Sequence, residues 1–221
     1  MIDMNIPKIG LTLRCDMTDE YDYSEPKLPE GFHFEHYKGD EEGKKHWTDL
    51  MASVGFFKEG DYEAGVNMFN KEFCDDIELA KERVFFIVTD DGKYVGSCTA
   101  WQHLEIREGR GQVHWLAVLP EYQRYGLGKA LFEKCLSILK EKLPGLPVYL
   151  NTQTTSHRAL CLYVKKGFYC VYWTEETKTA YERSVEVLKG VMREPEYTKF
   201  ASYVKDESNL DKEWADKHPK A

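Results

Sequence analysis

Apolar residues alternate with polar ones at Ile9, Leu11, Leu13 and Cys15, which predicts one short strand near the start of the chain. Asp16 to Glu25 follows with Asp16, Asp19, Glu20, Asp22, Glu25 and no basic residue, and Pro26 and Pro29 close it as a linker. From Gly31 a strand is expected at Phe32 to Tyr37. Two amphipathic helices follow, at 41–54 and 62–82, separated by Gly55 and Gly60. Val84 to Thr89 and Lys93 to Trp101 flank Asp90-Asp91-Gly92, a composition that favours a β-hairpin. A third strand, Val113 to Val118, is stopped by Pro120 before a helix from Gly126 to about Lys142, which Pro144, Gly145 and Pro147 end. Val148 to Asn151 reads as a strand, Ser156 as the cap of a helix from His157 to Lys166, and Gly167 as the opening of a strand from Phe168 to Trp173. The order βααβββαβαβ implies one α/β sheet that begins antiparallel and gains parallel crossovers later. Beyond it, Glu175 to Arg193 reads as a helix. The charged tail from Pro195 either docks one turn through Leu210 and Trp214 or stays mobile.

The chain has 221 residues, 42 % of them apolar, enough for one cored domain. Its formal charge of −8 argues against nucleic acid or an anionic membrane as partner. Cysteines at 15, 74, 98, 135, 161 and 170 show no CxxC and no spacing that suits a metal, so a reduced, cytoplasmic protein is expected. No apolar run approaches the ~20 residues of a membrane span, and the first thirty residues carry no signal pattern.

The most informative stretch is Gln123-Arg124-Tyr125-Gly126-Leu127-Gly128-Lys129, between a predicted strand and a predicted helix. The first amides of a helix lack intrahelical partners and meet the positive end of its dipole, so glycines there make a phosphate cradle. Arg124 and Lys129 add charge. One residue, not four, separates the glycines and Ala130 follows Lys129, so this is no Walker loop; a dinucleotide fold would want a third glycine and an acidic residue about twenty positions on.

This stretch resembles the acetyl-CoA signature of the GNAT N-acetyltransferase superfamily at Gln123, Gly126 and Gly128. Trp115-Leu116-Ala117-Val118 with Pro120-Glu121-Tyr122 upstream, and Ser156-His157-Arg158-Ala159 running to Tyr163 and Gly167-Phe168, also resemble family blocks in family order. The resemblance covers roughly 31–173, leaving 1–30 as an N-terminal extension and 174–221 as a C-terminal helix and tail. It implies a GNAT fold: a central mixed, mostly antiparallel sheet, splayed at the acetyl-CoA site and flanked by helices. It implies that the backbone of Leu116, Ala117 and Val118 faces the acetyl and pantetheine arm, with the pyrophosphate over Gln123, Arg124, Tyr125, Gly126, Leu127, Gly128 and Lys129. Ser156 stands where the family often has an Asn that contacts the cofactor arm, or simply caps its helix. Acetyl-CoA is the expected cosubstrate, and no metal is needed.

Acetyl transfer to an amine needs a neutral nucleophile, an oxyanion stabilised by backbone N–H groups, and protonation of the leaving thiolate. Tyr163 matches the family's tyrosine acid; the alternative is an aromatic half-buried on an amphipathic helix. Gln112 stands where many members carry Glu, and an amide is no base. His114, two residues on and on the same strand face, is the expected substitute, with a hydrogen-bonded core histidine or a water-mediated step as alternatives. It resembles a histidine that arylalkylamine acetyltransferases carry on this strand. His103 and Glu105 are weaker candidates. Cys135 and Cys161 read as core fillers, while Phe56, Phe57 and Tyr62 either border the acceptor pocket or pack in the core.

The expected function is transfer of an acetyl group to a primary amine of a small molecule, by direct attack. A catalytically silent acetyl-CoA-binding domain, an enzyme acting on a protein amine and a longer acyl donor are the alternatives. Net acidity favours a cationic acceptor. The family commonly forms dimers through its last strands, so a homodimer is implied; with no strand evident after Trp173, the strand near Ile9 to Cys15 is expected to fill that place.

Overall fold

The computed structural model describes residues 3–58, 60–104 and 109–210. In chain order its elements are β1 (Gly10–Cys15), β2 (Phe32–His36), α1 (Glu41–Ser53), α2 (Tyr62–Phe73), α3 (Ile77–Arg83), β3 (Val84–Thr89), β4 (Tyr94–His103), β5 (Arg110–Val118) and α4 (Leu127–Lys142). Then come β6 (Val148–Gln153), α5 (His157–Lys165), β7 (Tyr169–Tyr172), α6 (Glu175–Leu188), α7 (Glu194–Ser202) and β8 (Val204–Asp206). They form a mixed α/β fold of mostly antiparallel strands and flanking helices. The chain gathers into two compact units, one from the described parts of 1–22, 102–112 and 143–221, the other from 23–101 and 113–142.

In the first unit β1 lies inside the sheet. It pairs antiparallel with β6, from Gly10↔Gln153 to Cys15↔Val148, and with β7, from Thr12↔Val171 to Arg14↔Tyr169. The N-terminal strand thus sits between β6 and β7, inside the sheet as expected, whereas the expectation that no strand follows Trp173 fails, because β8 adds to the edge at β7. Its two faces differ. Leu13 sits between Leu150 and Cys170, all three buried, whereas Arg14 sits between Tyr149 and Tyr169 on the opposite face. β8 pairs in parallel with β7 and delivers Glu207 to Arg14. β5 and β6 pair in parallel at Gly111↔Val148 and Gln112↔Tyr149. The order in this unit is β5-β6-β1-β7-β8, and in the other β2-β3-β4-β5, β5 contributing a segment to each.

The second unit is built on an aromatic core of Trp47, Phe69, Phe73 and Phe86, closed by Tyr37 and Ala117. Asp40 and Asp61 cap α1 and α2 by accepting the amides of Gly43 and Ala64. The two helices cross at Gly65, where a Cβ would lie 2.1 Å from Thr48 Cγ2. The single helix expected over 62–82 is broken: a 3₁₀ turn at Cys74–Asp76 intervenes, and Asp76 accepts the Leu79 amide and starts α3 afresh. The tail expected to be mobile or one turn long instead forms α7 and β8 up to the last described residues. Trp214 lies outside the described residues.

Candidate active site

β5 loses its regular alternation at one residue. Trp115 adopts a left-handed φ of +50°, which a bulky side chain rarely accepts and which costs about 1–3 kcal/mol. His114, Trp115 and Leu116 are consequently all half-buried, while Ala117 and Val118 return to the interior.

After the strand, the Leu119 amide donates to the Val95 carbonyl, Pro120–Tyr122 makes a 3₁₀ turn, and the Gln123 side-chain amide donates to the Val118 carbonyl at 3.2 Å. Arg124 and Gly126 then take left-handed φ values of +76° and +83°, turning the backbone into α4. The Ala130 amide donates to the Gly126 carbonyl at 3.0 Å, so the amides of Leu127, Gly128 and Lys129 precede the first such bond. No acidic residue stands in that first turn, and Arg124, Tyr125 and Lys129 are exposed. A Cβ on Gly128 would make an ordinary contact with Val118 Cγ2 at 3.8 Å, and one on Gly126 would meet nothing within 4 Å. Backbone donors and the positive end of the helix dipole thus face an approach that suits an anion such as a pyrophosphate, with Arg124 exposed beside it and the Lys129 ammonium 3.7 Å from the Glu133 carboxylate one turn on. Leu116, Ala117, Val118 and the whole of Gln123–Lys129 belong to this one unit.

His114 is in the same unit and has a partner that sequence reasoning missed. Its Nε2 lies 2.8 Å from Oε2 of Glu72 at the C-terminal end of α2, with the two side chains 23 % and 29 % exposed. The nearest signal in the sequence is indirect: Phe69 and Phe73 mark the buried face of α2, which puts Glu72 on its border. The His114 ring stands 5.3 Å from the Trp115 ring and 6.2 Å from that of Phe73. Phe56 is exposed and lays its ring edge-on to Trp115 at 5.0 Å, and Tyr62 is exposed under the Lys45 ammonium at 5.7 Å. Phe57 packs against Trp47. Core packing therefore describes Phe57 but not Phe56 or Tyr62.

The first unit holds the other predicted residues. Gln112 is buried and its side-chain oxygen lies 2.6 Å from His103 Nε2. Tyr163 is buried on α5, with its ring 6.3 Å from Phe168. Ser156 occupies the N-cap position of α5 but makes no capping hydrogen bond; its Oγ accepts instead from the Gln153 side chain at 3.4 Å. Cys135 and Cys161, one in each unit, are core fillers as expected. A pocket of about 280 Å³ among β1, β6, β7 and α6 contains none of the predicted residues. Glu105 lies outside the described residues.

Residues 46–168, more than half of the 221, match the model of the acetyltransferase (GNAT) family. The chain belongs to that family. An N-alpha-acetyltransferase of Sulfurisphaera tokodaii is 32 % identical over 95 residues, 39 % of this chain and 57 % of that protein. A mycothiol acetyltransferase of Streptomyces griseus is 38 % identical over 85 residues, 38 % of this chain and 26 % of that one. The chain therefore spans just over half of one curated relative and about a quarter of the other. Among solved structures, a GCN5-related N-acetyltransferase from Sphaerobacter thermophilus superposes with a TM-score of 0.56 at 16 % identity, over 75 % of this chain and 49 % of that one. A tandem GNAT protein from the clavulanic acid biosynthesis pathway gives the same score and identity over 76 % and 51 %. These superpositions speak to the GNAT fold. No described helix is long and apolar enough to cross a membrane.

Proposed function

We propose that this GNAT protein transfers an acetyl group from acetyl-CoA to a primary amine of a small molecule in the cytoplasm. The observation that carries the reading is the turn from β5 into α4. Left-handed Arg124 and Gly126, the open space at Gly126 and the acid-free first turn together suit the pyrophosphate of a CoA thioester. Leu116, Ala117 and Val118 would present their backbone to the acyl arm, with Ser156 as a further contact.

In the reaction the neutral amine attacks the thioester carbonyl, the C–N bond forms and the C–S bond breaks. His114, or a water, takes the ammonium proton beforehand, backbone N–H groups hold the oxyanion, and the Tyr163 hydroxyl gives its proton to the departing thiolate. Gln112 is bonded to His103 and offers no carboxylate, which leaves His114 as the imidazole on this strand. The two curated relatives carry names that point to different acceptors, so the acceptor class rests on this chain itself. Its net charge of −8 favours a cationic amine. No metal takes part in this scheme, and homodimer formation is part of the proposal.

The test is thiol release from acetyl-CoA across a panel of primary amines, with anionic acceptors for comparison. Turnover of cationic amines that falls at least tenfold in Tyr163→Phe supports the reading. Binding of acetyl-CoA with no thiol release for any acceptor would identify a silent binding domain instead.

A further inference from the structure

Tyr125 is the one aromatic side chain of Gln123–Lys129, and left-handed Arg124 and Gly126 set the backbone on either side of it. Its ring stands 6.4 Å from that of Phe32, the first residue of β2, at an interplanar angle of 52°, and Phe32 lies edge-on to Tyr122 at 6.2 Å. The three rings differ in what they leave to solvent. Phe32 and Tyr122 are half-buried, and the Lys93 ammonium stands over the Tyr122 ring at 4.8 Å while paired with Glu121 at 3.2 Å. Tyr125, by contrast, is 60 % exposed. Packing on Phe32 leaves most of that side chain in water, and a flat, braced and open ring is what a stacking partner uses.

The chemistry of the adjoining turn names the partner. In a CoA thioester the pyrophosphate carries the acyl arm on one side and adenosine on the other, so a base comes with it at the distance of one ribose. The acyl arm is assigned to the backbone of Leu116, Ala117 and Val118 and asks for no aromatic face. We infer that Tyr125, braced by Phe32, is the stacking platform for the adenine ring of acetyl-CoA. The inference rests on the reading of the turn as a pyrophosphate cradle and extends it to the nucleotide end of the cosubstrate. Tyr125 touches no reacting atom. It sets affinity, and it favours thioesters that carry the nucleotide over those that end at the pantetheine phosphate. The contact needs the ring and not its hydroxyl, because a base and an aromatic side chain meet face to face.

The test uses the full chain and two ligands, acetyl-CoA and acetyl-phosphopantetheine, the same thioester without its adenosine bisphosphate. In calorimetric titrations Tyr125→Ala should weaken acetyl-CoA binding about fivefold or more and leave that of acetyl-phosphopantetheine within about twofold. Tyr125→Phe should bind both ligands like the wild type, and Phe32→Leu, which removes the brace, should show a smaller loss confined to acetyl-CoA. An exposed side chain carries little of the fold, so the melting temperature of both Tyr125 variants without ligand should match the wild type. In NMR spectra the adenine C–H resonances of bound CoA should move upfield under the ring current of Tyr125, and Tyr125→Ala should abolish that shift. Unchanged acetyl-CoA affinity in Tyr125→Ala, with no upfield shift in the wild type, overturns the platform and leaves the cradle standing. Equal weakening of both ligands overturns it as well, because Tyr125 then acts through the turn rather than through the base. A wild type that binds neither ligand removes the cradle itself, and the platform falls with it.

Discussion

The Arg14 guanidinium donates to the Glu207 carboxylate at 2.8 Å although the two are 193 positions apart and both are buried. Arg14 also donates to Asp16 at 2.7 Å, and the Tyr149 hydroxyl lies 3.0 Å from both Glu207 oxygens. The cluster fastens the segment after β8 to the inserted strand β1. Removing one member of a buried, hydrogen-bonded ion pair leaves the other charge uncompensated. Glu207→Ala should therefore destabilise the protein by about 3–5 kcal/mol in denaturant titrations, and Glu207→Gln by less. A loss below about 1 kcal/mol would mean that the pair is solvated and structurally idle.

Asp16 gives the same cluster a pH dependence. Burial pushes its carboxyl up, but hydrogen bonds from Tyr169 and Arg14 outweigh it and hold it below its ordinary 3.8. A depressed folded value means that the group stabilises the protein above pH 3.8 and that this contribution disappears as pH falls through the lower folded value. Stability measured against pH should drop more steeply below about pH 4 in the wild type than in Asp16→Asn. Parallel curves would show that Asp16 does not gain its partners on folding.

Helix crossing at Gly65 is a tight approach. Gly65→Ala places a methyl 2.1 Å from Thr48 Cγ2 and should cost about 1–3 kcal/mol despite the higher helix propensity of alanine. The companion Thr48→Ser, which removes that methyl, should restore part of the loss.

Gly128 separates folding from binding. Its position in α4 has ordinary room for a Cβ, so Gly128→Ala should leave the melting temperature unchanged or slightly raised. If the space serves a pyrophosphate, the same change should weaken acetyl-CoA binding severalfold. Calorimetric titration of both proteins gives the comparison, and equal affinities would remove Gly128 from the cradle.

The sequence revealed the elements wherever local chemistry decided them. Asp90-Asp91-Gly92 made the hairpin, in which the Thr89 amide donates to the Lys93 carbonyl, and the glycines at 126 and 128 marked the turn into α4. Alternation at 9–15 sufficed to place a strand, and its expected place inside the sheet held, but the short strand β8 after Trp173 was missed because three residues in a charged tail carry no pattern. Contacts across long separations were not legible. Glu72 looked like one more charge on an amphipathic helix, and Glu207 like part of a solvated tail, because only tertiary packing brings them to His114 and Arg14. The acidic run after β1 read as a linker closed by Pro26 and Pro29. In the structure Asp16 bonds Arg14 and Tyr169, and Glu25 bonds Lys134 at 2.5 Å.

The central claim is that the Gln123–Lys129 turn binds a CoA thioester, and thermal unfolding with acetyl-CoA, CoA, ATP and NAD, each in large excess, tests it most directly. At a hundredfold excess over its dissociation constant a ligand adds ~2.7 kcal/mol, enough to move the midpoint by several degrees. Stabilisation by acetyl-CoA and CoA alone is the predicted result. No shift with either, or an equal shift with ATP or NAD, would contradict the reading of the turn and the proposed function with it.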